Sequence, residues 1–88
     1  MWDRVDNEAA ITLYGVTWCP WVRRARKWLE SNGLQFAWVE VPDAQWERKE
    51  VVAVSGQMEV PVIVVEQDGK RHIFLEETHP ELAKLLEV

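Results

Sequence analysis

The chain has 88 residues, 48% of them hydrophobic and 28% charged, and carries a formal net charge of -5 at pH 7. This is the length of one small domain with an ordinary globular composition, and the acidic balance argues against general nucleic-acid binding, which favours a basic face. One cysteine cannot form an internal disulfide, which fits a reducing compartment.

The opening residues MWDRVDNEAA mix both charge signs without an apolar h-region, so they lack the pattern of a secretory signal. They read as a loose lead-in over residues 1–8. The longest apolar run, Val60–Val65, is far short of a membrane span. A cytoplasmic protein with no membrane partner is expected.

Ala10–Tyr14 alternates in polarity and stops at Gly15, the pattern of a short strand. A helix is expected from Thr17 or Trp18 to Ser31, ended by Asn32-Gly33. Val22, Ala25, Trp28 and Leu29 form its apolar side, and Arg23, Arg24, Arg26 and Lys27 its polar side. Gln35–Val41 reads as a second strand. Asp43 is placed to cap a helix reaching Ser55, with Gly56 as its stop. Val51, Val52 and Val54 weaken that helix, because β-branched side chains lose freedom there.

Val60–Val65 is a third, nearly continuous apolar strand suited to a central position. Asp68-Gly69 signals a hairpin turn, with Arg71–Leu75 returning. Thr78 or His79 caps a last helix with Pro80 in its first turn, and Leu82, Leu85 and Leu86 form its stripe. The order β-α-β-α-β-β-α predicts an α/β fold. The helical crossover makes the first two strands parallel and the hairpin makes the last two antiparallel. Helices then cover a mixed four-stranded sheet. Among the six tryptophans, Trp28 and Trp38 are expected to fill the core, whereas Trp18 and Trp21 flank the cysteine.

Cys19 falls at a strand-to-helix junction, followed by Pro20 and, within eight residues, by four cations. The first N–H groups of a helix lack internal partners and carry partial positive charge, so a thiolate is favoured there. The competing reading is plain: a lone cysteine commonly packs as a small hydrophobe. Likewise, the cations can be solvated surface. Val60-Pro61 offers two readings as well. Proline is tolerated at a strand start, or the bond is cis and leaves nearby backbone free to pair with an extended ligand. His72 and His79 have no companions at ligand spacing, so no metal site is expected. Glu76-Glu77 reads as a solvated loop.

The segment Thr17-Trp-Cys-Pro-Trp-Val22, the element order and Glu59-Val60-Pro61 together resemble the glutaredoxin family of the thioredoxin fold. The likeness runs from about Ala10 to Leu86. The stretch from Asp68 to Leu86 is more similar to the short NrdH and mycoredoxin type. The resemblance implies a thiol-disulfide oxidoreductase in which Cys19 attacks a mixed disulfide between a client protein and a small thiol, and a second small thiol regenerates it. Glutathione or another low-molecular-weight thiol would be the co-substrate, and the protein would act as a monomer. On the family pattern, Thr17, Trp18, Pro20 and Trp21 line the groove, Arg24 or Arg26 holds a carboxylate, Val60 offers backbone hydrogen bonds and Pro61 faces the sulfur.

Four positions depart from that pattern. Val22 stands where the family's second cysteine would be, Val16 where many members carry lysine, and Glu59 where threonine is usual. Phe74–Thr78 takes the place of a Gly-Gly-Asp segment. The first departure restricts the chemistry to a single thiol. Two other functions fit the same residues: a redox-inactive module that binds a peptide or partner, and an iron-sulfur carrier that pairs Cys19 from two subunits with two small thiols.

Overall fold

A computed structural model describes residues 9–75 and 79–87. The expected lead-in over 1–8, the Glu76-Glu77 loop and the Thr78 cap lie outside the described residues. The elements are β1 (Ala10–Gly15), α1 (Pro20–Ser31), β2 (Ala37–Glu40), α2 (Lys49–Ser55), β3 (Val62–Gln67), β4 (Lys70–Leu75) and α3 (His79–Leu86), with one 3-10 turn at Gln45–Glu47. The strands lie in the order β2-β1-β3-β4. β1 pairs parallel with β2 and antiparallel with β3, and β4 pairs antiparallel with β3. This is the mixed four-stranded α/β arrangement read from the sequence.

The period of two in β1 and β3 builds two cores. Ile11 and Leu13 pair with Val65 and Ile63, and these four join Ala25 and Leu29 of α1 and Leu82 of α3 on one face. The other face collects Val62 and Val64 with Val51 of α2, together with Val16, Cys19, Val22 and Val41. Each fully buried Leu or Ile contributes about 1.5–3 kcal/mol relative to exposure. Trp28 and Trp38 are half-buried and pack against the first cluster, as their positions predicted.

Four elements differ in their bounds from the sequence expectation. α1 begins at Pro20 rather than Thr17 or Trp18, with Cys19 as its extended N-cap (φ -78°, ψ 124°). Proline at the first helical position has its φ already set and no N–H to lose. The helix ends in a Schellman motif: the Gly33 N–H donates to Glu30 O (3.0 Å) and the Leu34 N–H to Leu29 O (3.0 Å). Gly33 has φ 70°, which that motif requires. β2 is shorter than Gln35–Val41, because its ladder with β1 runs only from Ala37 to Glu40.

The second helix is also shorter. Asp43 is not its cap; the chain passes through the 3-10 turn, and α2 starts at Lys49 after Arg48. Finally, β3 starts at Val62, because Pro61 has no N–H to give the ladder. The Val60-Pro61 bond is cis. β3 then continues to Gln67, where Asp68 (φ 56°) and Gly69 (φ 75°) make the two-residue hairpin turn joining Gln67 to its partner Lys70. Among the described residues, no helix is long and apolar enough to cross a membrane.

Candidate active site

Register brings three connections to one end of the sheet. Tyr14, next to the end of β1, pairs with Val62, the first residue of β3. The chain after β2 starts at the same end, where the Val41 N–H donates to Gly15 O (3.0 Å). Residues 16–19, 41–48 and 56–61 therefore meet beyond the carboxyl ends of the two parallel strands, the usual location of a site in such sheets.

Cys19 closes the first connection. Its N–H donates to Val16 O (3.3 Å), and its own C=O accepts from the Arg23 N–H (3.0 Å), the first bond of α1. The thiol makes no side-chain capping bond. Cys19 is 9% exposed and belongs to the valine cluster, so little of it is open to solvent. Val22, one turn on, is 1% exposed. A Cβ at Gly15 would come within 2.5 Å of Val22 Cγ1, so the close approach of β1 to α1 requires glycine there. Val16, which the resemblance aligns with a lysine, is wholly buried in the same cluster.

The side chains around Cys19 are exposed aromatics and cations. Trp18 is 58% and Trp21 52% exposed. The Trp18 indole Nε1–H donates to Asp43 Oδ1 at 2.9 Å, linking the first connection to the second. The Arg24 guanidinium lies over the Trp21 ring, 4.8 Å from its centroid, a separation at which cation–π attraction is effective. Arg23 Nε donates to Thr17 O (3.2 Å) and steadies the turn before the cysteine. Thr17 and Pro20 are exposed beside it. Arg26 is engaged elsewhere, with Glu30 (3.5 Å) and over the Trp38 ring (5.1 Å).

The third connection supplies Val60 and Pro61. Pro61 is buried, and half-buried Val60 packs against the cluster that contains Cys19. Among the described residues, neither polar group of the Val60 backbone has a hydrogen-bond partner. The residue before it is firmly held: Gln57 Oε1 accepts from the Glu59 N–H (2.7 Å), and Gln57 Nε2 donates to Glu59 O (3.0 Å).

Thus Cys19, Thr17, Trp18, Pro20, Trp21, Arg24, Val60 and Pro61 all fall at this end. Two residues that belong with them were not singled out as such by sequence. Asp43 serves Trp18 instead of capping a helix. Arg48, 5% exposed, ties the second connection to the third through backbone carbonyls of Pro42, Asp43 and Met58. Its signal was its place on one helical stripe with Val51 and Ser55, at spacings of three and seven. His72 is half-buried in β4, away from the site, and the His79 side chain lies outside the described residues. Among the described residues, no three His, Cys, Asp or Glu side chains cluster closely enough to hold a metal.

Residues 11–73 match the glutaredoxin family model. The chain belongs to the glutaredoxin family. It is 35% identical over 77 residues to an uncharacterised glutaredoxin-like 8.6 kDa protein of the rubredoxin operon of Clostridium pasteurianum, covering 88% of this chain and 97% of that one. Among solved structures, it superposes on the glutaredoxin of Archaeoglobus fulgidus with a TM-score of 0.69 and 25% identity, over 91% of this chain and 88% of the other. Fasciola hepatica thioredoxin shares the fold at 19% identity and a TM-score of 0.65, over 93% and 81% of the two chains. A glutaredoxin-like protein with a thioredoxin-like fold is thus similar to thiol-disulfide oxidoreductases over nearly its whole described length.

Proposed function

We propose that this glutaredoxin-family protein is a single-cysteine oxidoreductase that resolves mixed disulfides between proteins and a small thiol. The observation that supports this most is the placement of Cys19 at the first turn of α1, at the sheet end where the Val60 backbone has no partner. In the reaction, the Cys19 thiolate attacks the small thiol's sulfur in the mixed disulfide. The new Cys19–small-thiol disulfide forms as the old bond breaks, and the client leaves as a thiolate that takes a proton from solvent. A second small-thiol thiolate then attacks the small-thiol sulfur of that adduct. Symmetrical disulfide leaves and Cys19 is restored, so the two electrons come from the small thiols.

The peptide-like part of the small thiol would pair with the Val60 backbone beside Pro61. Trp21 and the arginine stacked on it would form the facing wall, with Arg24 meeting a carboxylate. Thr17, Trp18 and Pro20 would complete the rim. Glutathione is the first candidate on the family pattern. Val16 supplies no cation where many members carry lysine, which leaves room for another low-molecular-weight thiol. Client proteins are the second substrate, and a cytoplasmic monomer suits the reducing chemistry.

Turnover of a glutathionylated peptide tests the reading. The wild-type protein is expected to take up one glutathione on Cys19, seen by mass spectrometry, and to release the free peptide thiol. Cys19→Ser should do neither. A wild-type protein that forms no adduct and shows no turnover would sink the proposal. The narrow exposure of Cys19 and the open tryptophans favour one alternative, a module that binds a partner without chemistry. In that case Cys19→Ser keeps full affinity.

A further inference from the structure

Arg48 is a buried cation between the 3-10 turn and α2. Its Nε donates to Pro42 O (2.7 Å), one terminal nitrogen to Met58 O (2.9 Å) and the other to Asp43 O (2.9 Å). Among the described residues, no carboxylate pairs with it. A buried charge without a counter-charge is a poor source of stability compared with an apolar side chain of similar volume. Three carbonyls drawn from two separate loops give it a geometric role instead.

We propose that Arg48 is a positioning residue that holds the two banks of the thiol groove at a fixed separation, an inference that rests on the thiol-exchange reading above. One bank is Asp43, whose backbone carbonyl takes Arg48 and whose carboxylate takes the indole of Trp18, the neighbour of Cys19. The other is Met58 to Val60. Arg48 anchors the Met58 carbonyl, Gln57 fixes both backbone groups of Glu59, and the unpartnered Val60 follows. The planar guanidinium spans both banks with nitrogens at set angles. A lysine ammonium is a point charge on a flexible stem and does not reproduce that fork.

The test uses a glutathionylated peptide and the variants Arg48→Met and Arg48→Lys. Arg48→Met should raise KM roughly tenfold while kcat stays within about twofold, the mark of lost substrate positioning. Alkylation of Cys19 by iodoacetamide should keep its rate, because the Arg48 side chain donates to no residue of α1. Amide exchange should quicken at Glu59, whose N–H is held by Gln57 Oε1, and at Glu47, whose N–H donates to Ala44 O. Arg48→Lys should fall between. Combined with Trp18→Phe, either variant should show less than additive loss, since both act through Asp43.

If Arg48→Met does not fold, Arg48→Lys carries the same measurements. An unchanged KM in a folded variant overturns the proposal, and so does a Cys19 alkylation rate that falls as KM rises. If the wild-type protein turns over no mixed disulfide, the thiol-exchange reading fails by itself. Amide exchange then decides the positioning role alone, and unchanged protection at Glu59 and Glu47 overturns it.

Discussion

The two faces of the sheet are packed with different materials. The face under α1 and α3 is filled by Ile11, Leu13, Leu29, Ile63 and Leu82, with half-buried Trp28, Trp38 and Phe74 around them. The face under α2 is nearly all valine: Val16, Val22, Val41, Val51, Val62 and Val64, with Cys19 among them. Long side chains hold helices off a sheet, whereas short branched ones let backbones approach. Val22, one of these valines, also makes the close approach to Gly15, and the two stand within four residues of the cysteine on either side. One half therefore supplies bulk to the fold, and the other sets backbone positions around the thiol.

This division can be broken at single residues. Leu13→Ala removes a wholly buried side chain from the leucine-rich face and should cost about 2–5 kcal/mol in urea unfolding. The folded fraction should keep its Cys19 reactivity. Gly15→Ala places a methyl against Val22 and should cost about 1–3 kcal/mol, the range for overpacking. Unlike Leu13→Ala, it should also alter the rate of Cys19 alkylation, because Val22 is one turn from the cysteine. Adding Val22→Ala should recover part of the lost stability.

The smallest change sharpens the comparison most. Val22→Cys trims a buried side chain by one heavy atom and should cost about 0.5–1.5 kcal/mol, as a lost methylene does. Its consequence is chemical: mild oxidation should join Cys19 to the introduced thiol in a disulfide, read by mass spectrometry as protection of both sulfurs from alkylation. A protein that remains fully alkylatable after oxidation would show that the α1 turn cannot bring the two sulfurs together.

The strands were legible because alternation and turn residues are local signals. β1 and β4 match their expected ranges to within a residue, and Asp68-Gly69 turned where predicted. The helix starts were less legible. Thr17 and Trp18 looked helical only by proximity to Pro20, whose own place in the first turn was the better guide. Asp43 has the chemistry of a cap, but its carboxylate is taken by an indole 25 residues away, which no local pattern reveals.

Arg48 was hidden for a related reason. In Glu47-Arg-Lys-Glu50 it reads as one more surface charge, and the convergence of two loops gives its guanidinium three carbonyl acceptors. The site segment itself was read from Trp18-Cys19-Pro20-Trp21 and Val60-Pro61. The sheet register that puts them at one end depends on the pairing of Tyr14 with Val62.

The Asp68-Gly69 turn lies at the far end of β3 from Pro61, some six residues and roughly 20 Å of strand away. Its two residues already hold left-handed backbone and are exposed. This is the natural handle of the molecule: a tether, a label or a fused sensor joined there leaves the end that carries Cys19 clear.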